Sequence, residues 1–180
     1  MAIPLPDPSV IAILDDLGVE YELLACEPEL ADTAAFCAAY GIPPERSANT
    51  IVVASRRPEG HQVACVLLAT TRLDVNGLVR TRMGVKKASF APPDETAALT
   101  GMVMGGVTPF GLPPALAVWV DSAVMDPEWI ILGAGSRRAK IKISPEALRL
   151  LENASIVEGL ARPFGMPPRE PGPAPEEDDS

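Results

Sequence analysis

The chain has 180 residues, a net charge of -9 at pH 7 and a hydrophobic fraction of 47%. This length predicts one domain with a substantial core, and the acidic balance argues against broad affinity for nucleic acid such as DNA. No apolar run reaches the length of a membrane span, no signal peptide is recognisable, and three unpaired cysteines fit a reducing compartment, so we expect a cytoplasmic protein without a membrane partner.

The patterned segments mix helix and strand signals along the chain. Caps predict helices that follow Asp7 and Asp32 and end at Gly18 and Gly41. The other predicted elements are, in chain order, strands at 19–24, 50–54 and 63–69, a helix at 74–83 interrupted by Asn76-Gly77, a strand at 86–90, a helix at 93–100, strands at 117–120, 129–132 and 139–143, a helix at 144–151 and a strand at 155–157. Because strands and helices do not alternate regularly, we predict a mixed α/β sheet in a single domain.

The C-terminal segment differs in composition from the rest of the chain. From Pro163 onward it holds six prolines and five acidic residues against one base, Arg169. Such a segment cannot bury enough apolar surface to order itself. We therefore predict a folded domain over residues 1–162 and a disordered tail over 163–180.

Several kinds of catalytic site are disfavoured by the residues present. The single histidine, His61, lies in a polar turn, and there is no cysteine pair, so a zinc site of the usual ligand set is not expected. No Gly-x-Ser-x-Gly motif presents a serine nucleophile. The Gly133-x-Gly135 pair lacks the third glycine and the helix of a dinucleotide site, and no Walker A motif occurs. We expect no cofactor.

Two glycine-rich loops are the most specific features of the sequence. Residues 105–113 read GGVTPFGLP, and residues 133–140 read GAGSRRAK. Glycine permits positive φ and close approach of a ligand, whereas proline stiffens a loop, so a shaped substrate-binding loop and a long structural connection are both open. With the segments at 41–53 and 87–101, these loops resemble the YbaK/ProX family from about Asp32 to Ala161. This is a family of aminoacyl-tRNA deacylases related to the editing domain of bacterial prolyl-tRNA synthetases.

The resemblance implies a curved, largely antiparallel mixed sheet flanked by helices, and hydrolysis in trans of the ester of a mischarged tRNA. The substrate's own ribose hydroxyl would assist, so no strong protein base is required. The implied partners are the acceptor end of the tRNA and, as an open alternative, an aminoacyl-tRNA synthetase. The resemblance implies Asn49, Gly105 and Gly106 as catalytic residues, and the amides of the two glycines would donate hydrogen bonds to the oxyanion. The implied substrate-binding residues are Thr33, Thr50, Thr108, Pro109, Gly135 and Ser136.

Basic residues follow the second glycine loop. Lys140 and Lys142 alternate with isoleucines, so a strand would place both amines on one face, after Arg137 and Arg138. Beside a glycine-rich pocket, these four residues are predicted to contact the phosphates of the RNA acceptor end. An ordinary solvated face is the alternative reading.

Position 49 departs from the family pattern. The resemblance leads us to expect a lysine there, before Thr50, whereas this chain has Asn49. A neutral amide can donate a hydrogen bond to a carbonyl, but losing one donor at a developing oxyanion typically lowers the rate by about 10²–10³-fold. A non-catalytic module that binds aminoacyl-tRNA or a synthetase is therefore the alternative to a deacylase.

Overall fold

The computed structural model describes residues 3–166, and the segment 167–180 of the predicted tail lies outside the described residues. Over the described range the helices are α1 (Pro8–Leu17), α2 (Thr33–Tyr40), α3 (Arg80–Met83) and α4 (Pro93–Thr100). The strands are β1 (Tyr21–Ala25), β2 (Ala48–Arg57), β3 (Glu59–Leu68), β4 (Thr71–Leu73), β5 (Lys87–Phe90), β6 (Ala117–Asp121), β7 (Ile130–Gly133), β8 (Ala139–Ile143), β9 (Ala154–Val157) and β10 (Ala161–Pro163).

The capping signals placed the first two helices correctly. The Asp7 side chain accepts the amide of Ser9, and Gly18 closes α1 in the left-handed region at φ 67°. Gly41 closes α2 in the same way at φ 68°. No helix in residues 3–166 has the length and apolar character needed to cross a membrane.

Some predicted elements differ in the structure. The predicted helix at 74–83 is a π-helix over Val75–Val79 that continues as α3, and the Asp74 carboxylate accepts the amide of Leu78 at its start. The last predicted helix is a 3-10 helix over Pro145–Leu150. The pairing of β10 with β4 was not predicted, because strands of three residues carry almost no periodic signal.

The strands form a mixed α/β fold with three sheets. Five strands pair in the order β5-β2-β3-β6-β9, antiparallel on the β5-β2-β3 side and parallel from β3 through β9. Three strands form an antiparallel sheet in the order β1-β8-β7, and β4 pairs with β10. A single parallel bridge between Ser47 and Ile131 connects the two larger sheets. The predicted mixed α/β fold is confirmed.

Strand β3 is buried on both faces, which explains its continuous apolar sequence. Ala64 and Val66 pack into the main core, between the five-stranded and the three-stranded sheet, together with Val10 and Leu14 of α1. The alternate residues of β3 pack on the opposite face of the sheet, against Val79, Leu160 and their neighbours. Burial of a whole aliphatic side chain contributes about 1.5–3 kcal/mol, so this double-sided packing fixes the position of β2 beside it.

Candidate functional site

A cavity of about 430 Å³ opens where the two larger sheets separate along β2. On one side β2 pairs with β3 without interruption from Ala48 to Ala54, but on its other side β5 begins to pair only at Val53. The edge of β2 between the Ser47–Ile131 bridge and Val52 therefore has no neighbouring strand among the described residues. Such an edge presents backbone hydrogen-bond donors and acceptors to a molecule bound in the cavity.

Residues from five parts of the chain line this cavity. They share no sequence neighbourhood, because the tertiary fold brings them together. They are Asp32, Thr33 and Phe36 of the α2 region, residues 47–52, Phe90, Ala91 and Thr96, Met104, Gly105 and Val107 of the first glycine loop, and Ile131, Leu132, Gly133 and Lys140 of β7 and β8. Five of the predicted site residues, Asn49, Thr33, Thr50, Gly105 and Lys140, thus lie on one cavity.

Asn49 faces the cavity with its amide group held by a neighbour. The hydroxyl of Thr33, at the start of α2, donates to Asn49 Oδ1. The Nδ2 group makes no hydrogen bond with any residue in the range 3–166. The Thr33 contact therefore leaves the donor end of the amide available to a ligand carbonyl.

Thr50 carries a buried hydroxyl on the cavity wall. The residue is 9% exposed, and its Oγ1 has no hydrogen-bond partner among the described residues. A buried polar group without a partner costs about 1–3 kcal/mol, and native proteins rarely leave one unexplained. A ligand in the cavity would supply the missing partner.

The same Thr33–Asn49 contact borders a second cavity, of about 580 Å³. Its wall is otherwise mainly apolar and comes from α2, the turn that follows it, and the end of β3. The lining residues are Thr33, Ala34, Cys37, Ala38, Ile42, Pro44, Asn49 and Ala69. Asn49 and Thr33 therefore form part of the wall of both cavities.

The first glycine loop contributes Gly105 and Val107 to the cavity wall. Gly105 has φ 85°, and its carbonyl accepts a hydrogen bond from Lys140 Nζ at 2.7 Å. The amide of Gly106 donates to Val103 O at 2.9 Å, inside the loop, so it is not presented to a substrate as expected. A Cβ on Gly106 would lie 2.6 Å from the carbonyl oxygen of Ser136, so this glycine allows two backbones to meet.

The remaining residues predicted to bind substrate lie behind this contact and do not line the cavity. Thr108 and Pro109 are buried, and Thr108 Oγ1 has no partner among the described residues. The amide of Gly135 donates to Gly106 O at 2.7 Å. The Ser136 hydroxyl donates to Leu5 O. The Gly135 amide therefore links the two glycine loops directly, and the Ser136 hydroxyl links the second loop to the N-terminal segment.

The four basic residues predicted to bind tRNA occupy different environments. Arg137 donates from Nε and Nη2 to Pro28 O, and from Nη1 to Met104 O and Asp32, so its guanidinium connects three segments of the protein. Arg138 is exposed. Lys142 Nζ lies 4.4 Å from the centre of the Trp129 ring, and Lys140 is buried. Of the four, Arg138 is exposed, whereas Arg137 and Lys142 are half-buried.

Several cavity residues gave no recognisable signal in the sequence. In the sequence Phe36 resembles an ordinary core residue of α2, and Met104 lies just before the glycine motif and outside it. The open edge of β2 depends on where β5 starts to pair, which no local pattern specifies. In residues 3–166 no group of three or more His, Cys, Asp or Glu side chains is arranged as metal ligands.

Comparison with known proteins places this architecture among tRNA-editing proteins. The sequence profile of the family described as "Aminoacyl-tRNA editing domain" matches residues 27–151, more than half of the chain. An Enterococcus faecalis protein named "Putative Cys-tRNA(Pro)/Cys-tRNA(Cys) deacylase EbsC" is 27% identical over 139 residues, which cover 77% of this chain and 82% of that protein. The Bacillus subtilis protein YwhH, described as uncharacterized, is 32% identical over 112 residues, covering 58% and 71% of the two chains.

Solved structures show the same fold. A crystal structure titled "a putative trans-editing enzyme for prolyl tRNA synthetase" superposes with a TM-score of 0.71 at 20% identity, covering 84% of this chain and 96% of that one. The hypothetical protein APE2540 superposes with a TM-score of 0.75 at 24% identity, covering 86% and 99%. The resemblance inferred from the two glycine loops is confirmed.

Proposed function

This chain belongs to the aminoacyl-tRNA editing domain family, and we propose that it hydrolyses the ester of a mischarged tRNA in trans. One observation carries the proposal beyond the family level. Two successive residues of β2 that line the cavity carry polar groups without partners among the described residues, Asn49 Nδ2 and the buried Thr50 Oγ1. An aminoacyl ester linked to a ribose is rich in acceptors that suit such donors.

The reaction is acyl transfer to water. A water oxygen attacks the ester carbonyl carbon, a tetrahedral oxyanion forms, and the bond to the ribose oxygen breaks while that oxygen takes up a proton. The products are the free amino acid and the uncharged tRNA. Asn49 Nδ2 is proposed to orient the carbonyl, and Thr50 to hydrogen-bond beside it. A vicinal ribose hydroxyl of the substrate, as the family resemblance implies, assists in place of a protein base.

The roles of the other segments follow from their contacts. Gly105 contributes to the cavity wall, while Gly106, Thr108, Pro109, Gly135 and Ser136 are proposed to keep that wall in place rather than to bind substrate. Arg138 and Lys142 remain our candidates for contacts with the tRNA phosphates, because Arg138 is exposed and Lys142 is only half-buried. A synthetase that delivers the charged tRNA is a further proposed partner.

A non-catalytic module is the second candidate function. The observation that favours it is the neutral amide of Asn49, where the family resemblance leads us to expect a lysine. A site that binds the acceptor end without cleaving it would keep the cavity and lack turnover. In that case the Asn49 and Thr50 donors would serve affinity alone.

The experiment uses the purified full chain and tRNA(Pro) charged with cysteine, alanine or serine. We expect loss of the ester faster than spontaneous hydrolysis for at least one pairing, and a fall in rate of about 10²–10³-fold in Asn49→Ala. Asn76→Ala, at an exposed position of the π-helix, is the control and should keep the native rate. We expect Asn49→Lys to raise turnover.

Two results would reject parts of this proposal. No acceleration for any pairing, together with measurable binding of the charged tRNA, would favour the non-catalytic module. If the native protein is active and Asn49→Ala is equally active, Asn49 does not contact the reacting ester.

A further inference from the structure

Lys140 is a buried base on the wall of the cavity. It is 7% exposed, and it is the only lysine or arginine among the buried residues of the described chain. Strand alternation turns Ala139 and Ile141 of β8 into the main core and Lys140 to the opposite side, toward the cavity. An ammonium group is costly to remove from water unless its charge is compensated.

The contacts of the ammonium do not neutralise it. Nζ donates to Ala31 O and to Gly105 O, each at 2.7 Å, and lies 5.6 Å from the centre of the Phe36 ring. No carboxylate in residues 3–166 forms an ion pair with it. Two neutral carbonyls use two of its three N–H donors, so both a donor and the net charge remain.

A purely structural link between two loops does not require this charge. The carbonyls of Ala31 and Gly105 could be joined by a neutral donor such as a glutamine amide, without the cost of a buried cation. The contact also lies at the cavity, since Lys140 and Gly105 both line it and Ala31 directly precedes the lining residue Asp32. The arrangement holds a positive charge next to the place where negative charge would develop.

We propose that Lys140 contacts the carbonyl oxygen of the bound aminoacyl ester and stabilises it as it becomes an oxyanion. This inference rests on the proposed function and adds a charged catalytic residue to it. No proton leaves the ammonium, because the contact is a charge-assisted hydrogen bond that strengthens as the tetrahedral intermediate forms. Its partners Ala31 O and Gly105 O fix the group before the substrate arrives.

The environment of Lys140 also predicts a dependence on pH. Burial lowers the pKa of Lys140 from its ordinary value of 10.5, and the positive charge of Arg137 acts in the same direction. Asp32, Cys26 and Cys37 face the group and act in the opposite direction. Because the net shift is downward, the charge is lost at a lower pH than that of an exposed lysine as the pH rises.

The main test compares Lys140→Gln with Lys87→Gln, which changes an exposed lysine of β5 that does not line the cavity. We expect kcat for deacylation to fall by about 10²–10³-fold in Lys140→Gln, with KM little changed, while Lys87→Gln keeps kcat within about twofold. The double variant Asn49→Lys with Lys140→Gln returns a positive charge to the same cavity. Its kcat should be at least about tenfold higher than that of Lys140→Gln alone. A structural defect at position 140 would not be repaired by a lysine at position 49.

Several outcomes would overturn the proposal. A folded Lys140→Gln variant with kcat within about threefold of the native value would remove Lys140 from the reaction. A Lys140→Gln variant that loses activity, keeps the native unfolding temperature and is not recovered by Asn49→Lys would show that charge in the cavity is not what was lost.

A binding measurement covers the case in which Lys140→Gln does not fold. The probe is an aminoacyl-adenosine with an amide in place of the ester, which is not hydrolysed. The native protein is titrated with this probe at several pH values between about 8.5 and 10.5. This range lies above the pKa of about 8 expected for the probe's own amine, so the charge of the probe does not change. We expect its affinity to weaken across this range in the native protein and to stay constant in Lys140→Arg. Equal pH dependence in both proteins would overturn the role of Lys140. If the probe binds in this pH-dependent way but no charged tRNA is hydrolysed, the deacylase proposal fails while the contact with Lys140 stands.

Discussion

Gly105 and Gly106, the two adjacent glycines that begin the first glycine loop, have different environments. Gly105 lies on the cavity, where its carbonyl holds Lys140. One residue later, Gly106 is buried against the backbone of Ser136, and Gly133 lies equally close to Val107. We call the contacts of Gly106 with Ser136 and of Gly133 with Val107 the glycine seam. The comparison teaches that Gly105 and Val107 line the site, whereas Gly106 between them serves close packing of backbones.

Two threonines show the same difference. Thr50 and Thr108 both have buried hydroxyls without partners among the described residues. Thr50 lines the cavity, whereas Thr108 lies behind the seam and is completely inaccessible to solvent. The first hydroxyl can be paired by a ligand, and the second cannot be reached by one. Buried polar groups are therefore informative about binding only when a cavity adjoins them.

The largest expected effect is on the glycine seam. In Gly106→Ala the new Cβ would lie 2.6–2.8 Å from backbone atoms of Ser136, which cannot rotate away. We expect the free energy of unfolding to fall by about 3 kcal/mol, at the upper end of the cost of overpacking. Denaturant titration of the purified variant, followed by circular dichroism, measures this loss.

Gly84→Ala is the control for this measurement. Gly84 ends α3 with φ 70°, and a Cβ there meets nothing within 4 Å. Only the backbone strain remains, about 1–2 kcal/mol. If Gly106→Ala is no more destabilising than Gly84→Ala, the two loops are not packed as closely as the comparison requires.

The next effect separates the two threonines. We expect Thr50→Val to lower kcat/KM for the charged tRNA by about three- to tenfold, the value of one hydrogen bond, without loss of stability. Thr108→Val should leave kcat/KM unchanged and raise the free energy of unfolding by about 1 kcal/mol, because it removes an unpaired buried hydroxyl. Equal effects of the two variants on kcat/KM would mean that Thr50 contacts the substrate no more than Thr108 does.

The smallest effect concerns the surface charges beyond the seam. Arg138→Gln removes an exposed cation, so we expect a few-fold weaker affinity for tRNA and a salt dependence reduced by about one unit of slope. Arg137→Gln should instead lower stability, since its guanidinium bonds to Pro28, Met104 and Asp32. Filter binding at several salt concentrations makes the comparison. An unchanged slope in Arg138→Gln would exclude that residue from the phosphate contacts.

Local signals in the sequence were sufficient for most of the elements. The helix that ends at Gly41 and the one at Pro93–Thr100 were predicted at their observed bounds, because caps and prolines act within one turn. The alternation of Lys140 and Lys142 with isoleucines correctly predicted a strand with both amines on one face. The family could be inferred from the glycine loops for the same reason, since a close contact between backbones demands glycine at fixed positions.

The tertiary structure alone decided how these residues are used. Nothing local to Lys140 indicates that its ammonium is buried against Ala31 and Gly105, 109 and 35 residues away in sequence. Nor does the sequence around Asn49 reveal that β2 has an open edge there, because that depends on where β5 begins to pair. Periodicity and capping report on neighbours within a few residues, whereas burial, charge compensation and cavities arise from contacts between distant segments.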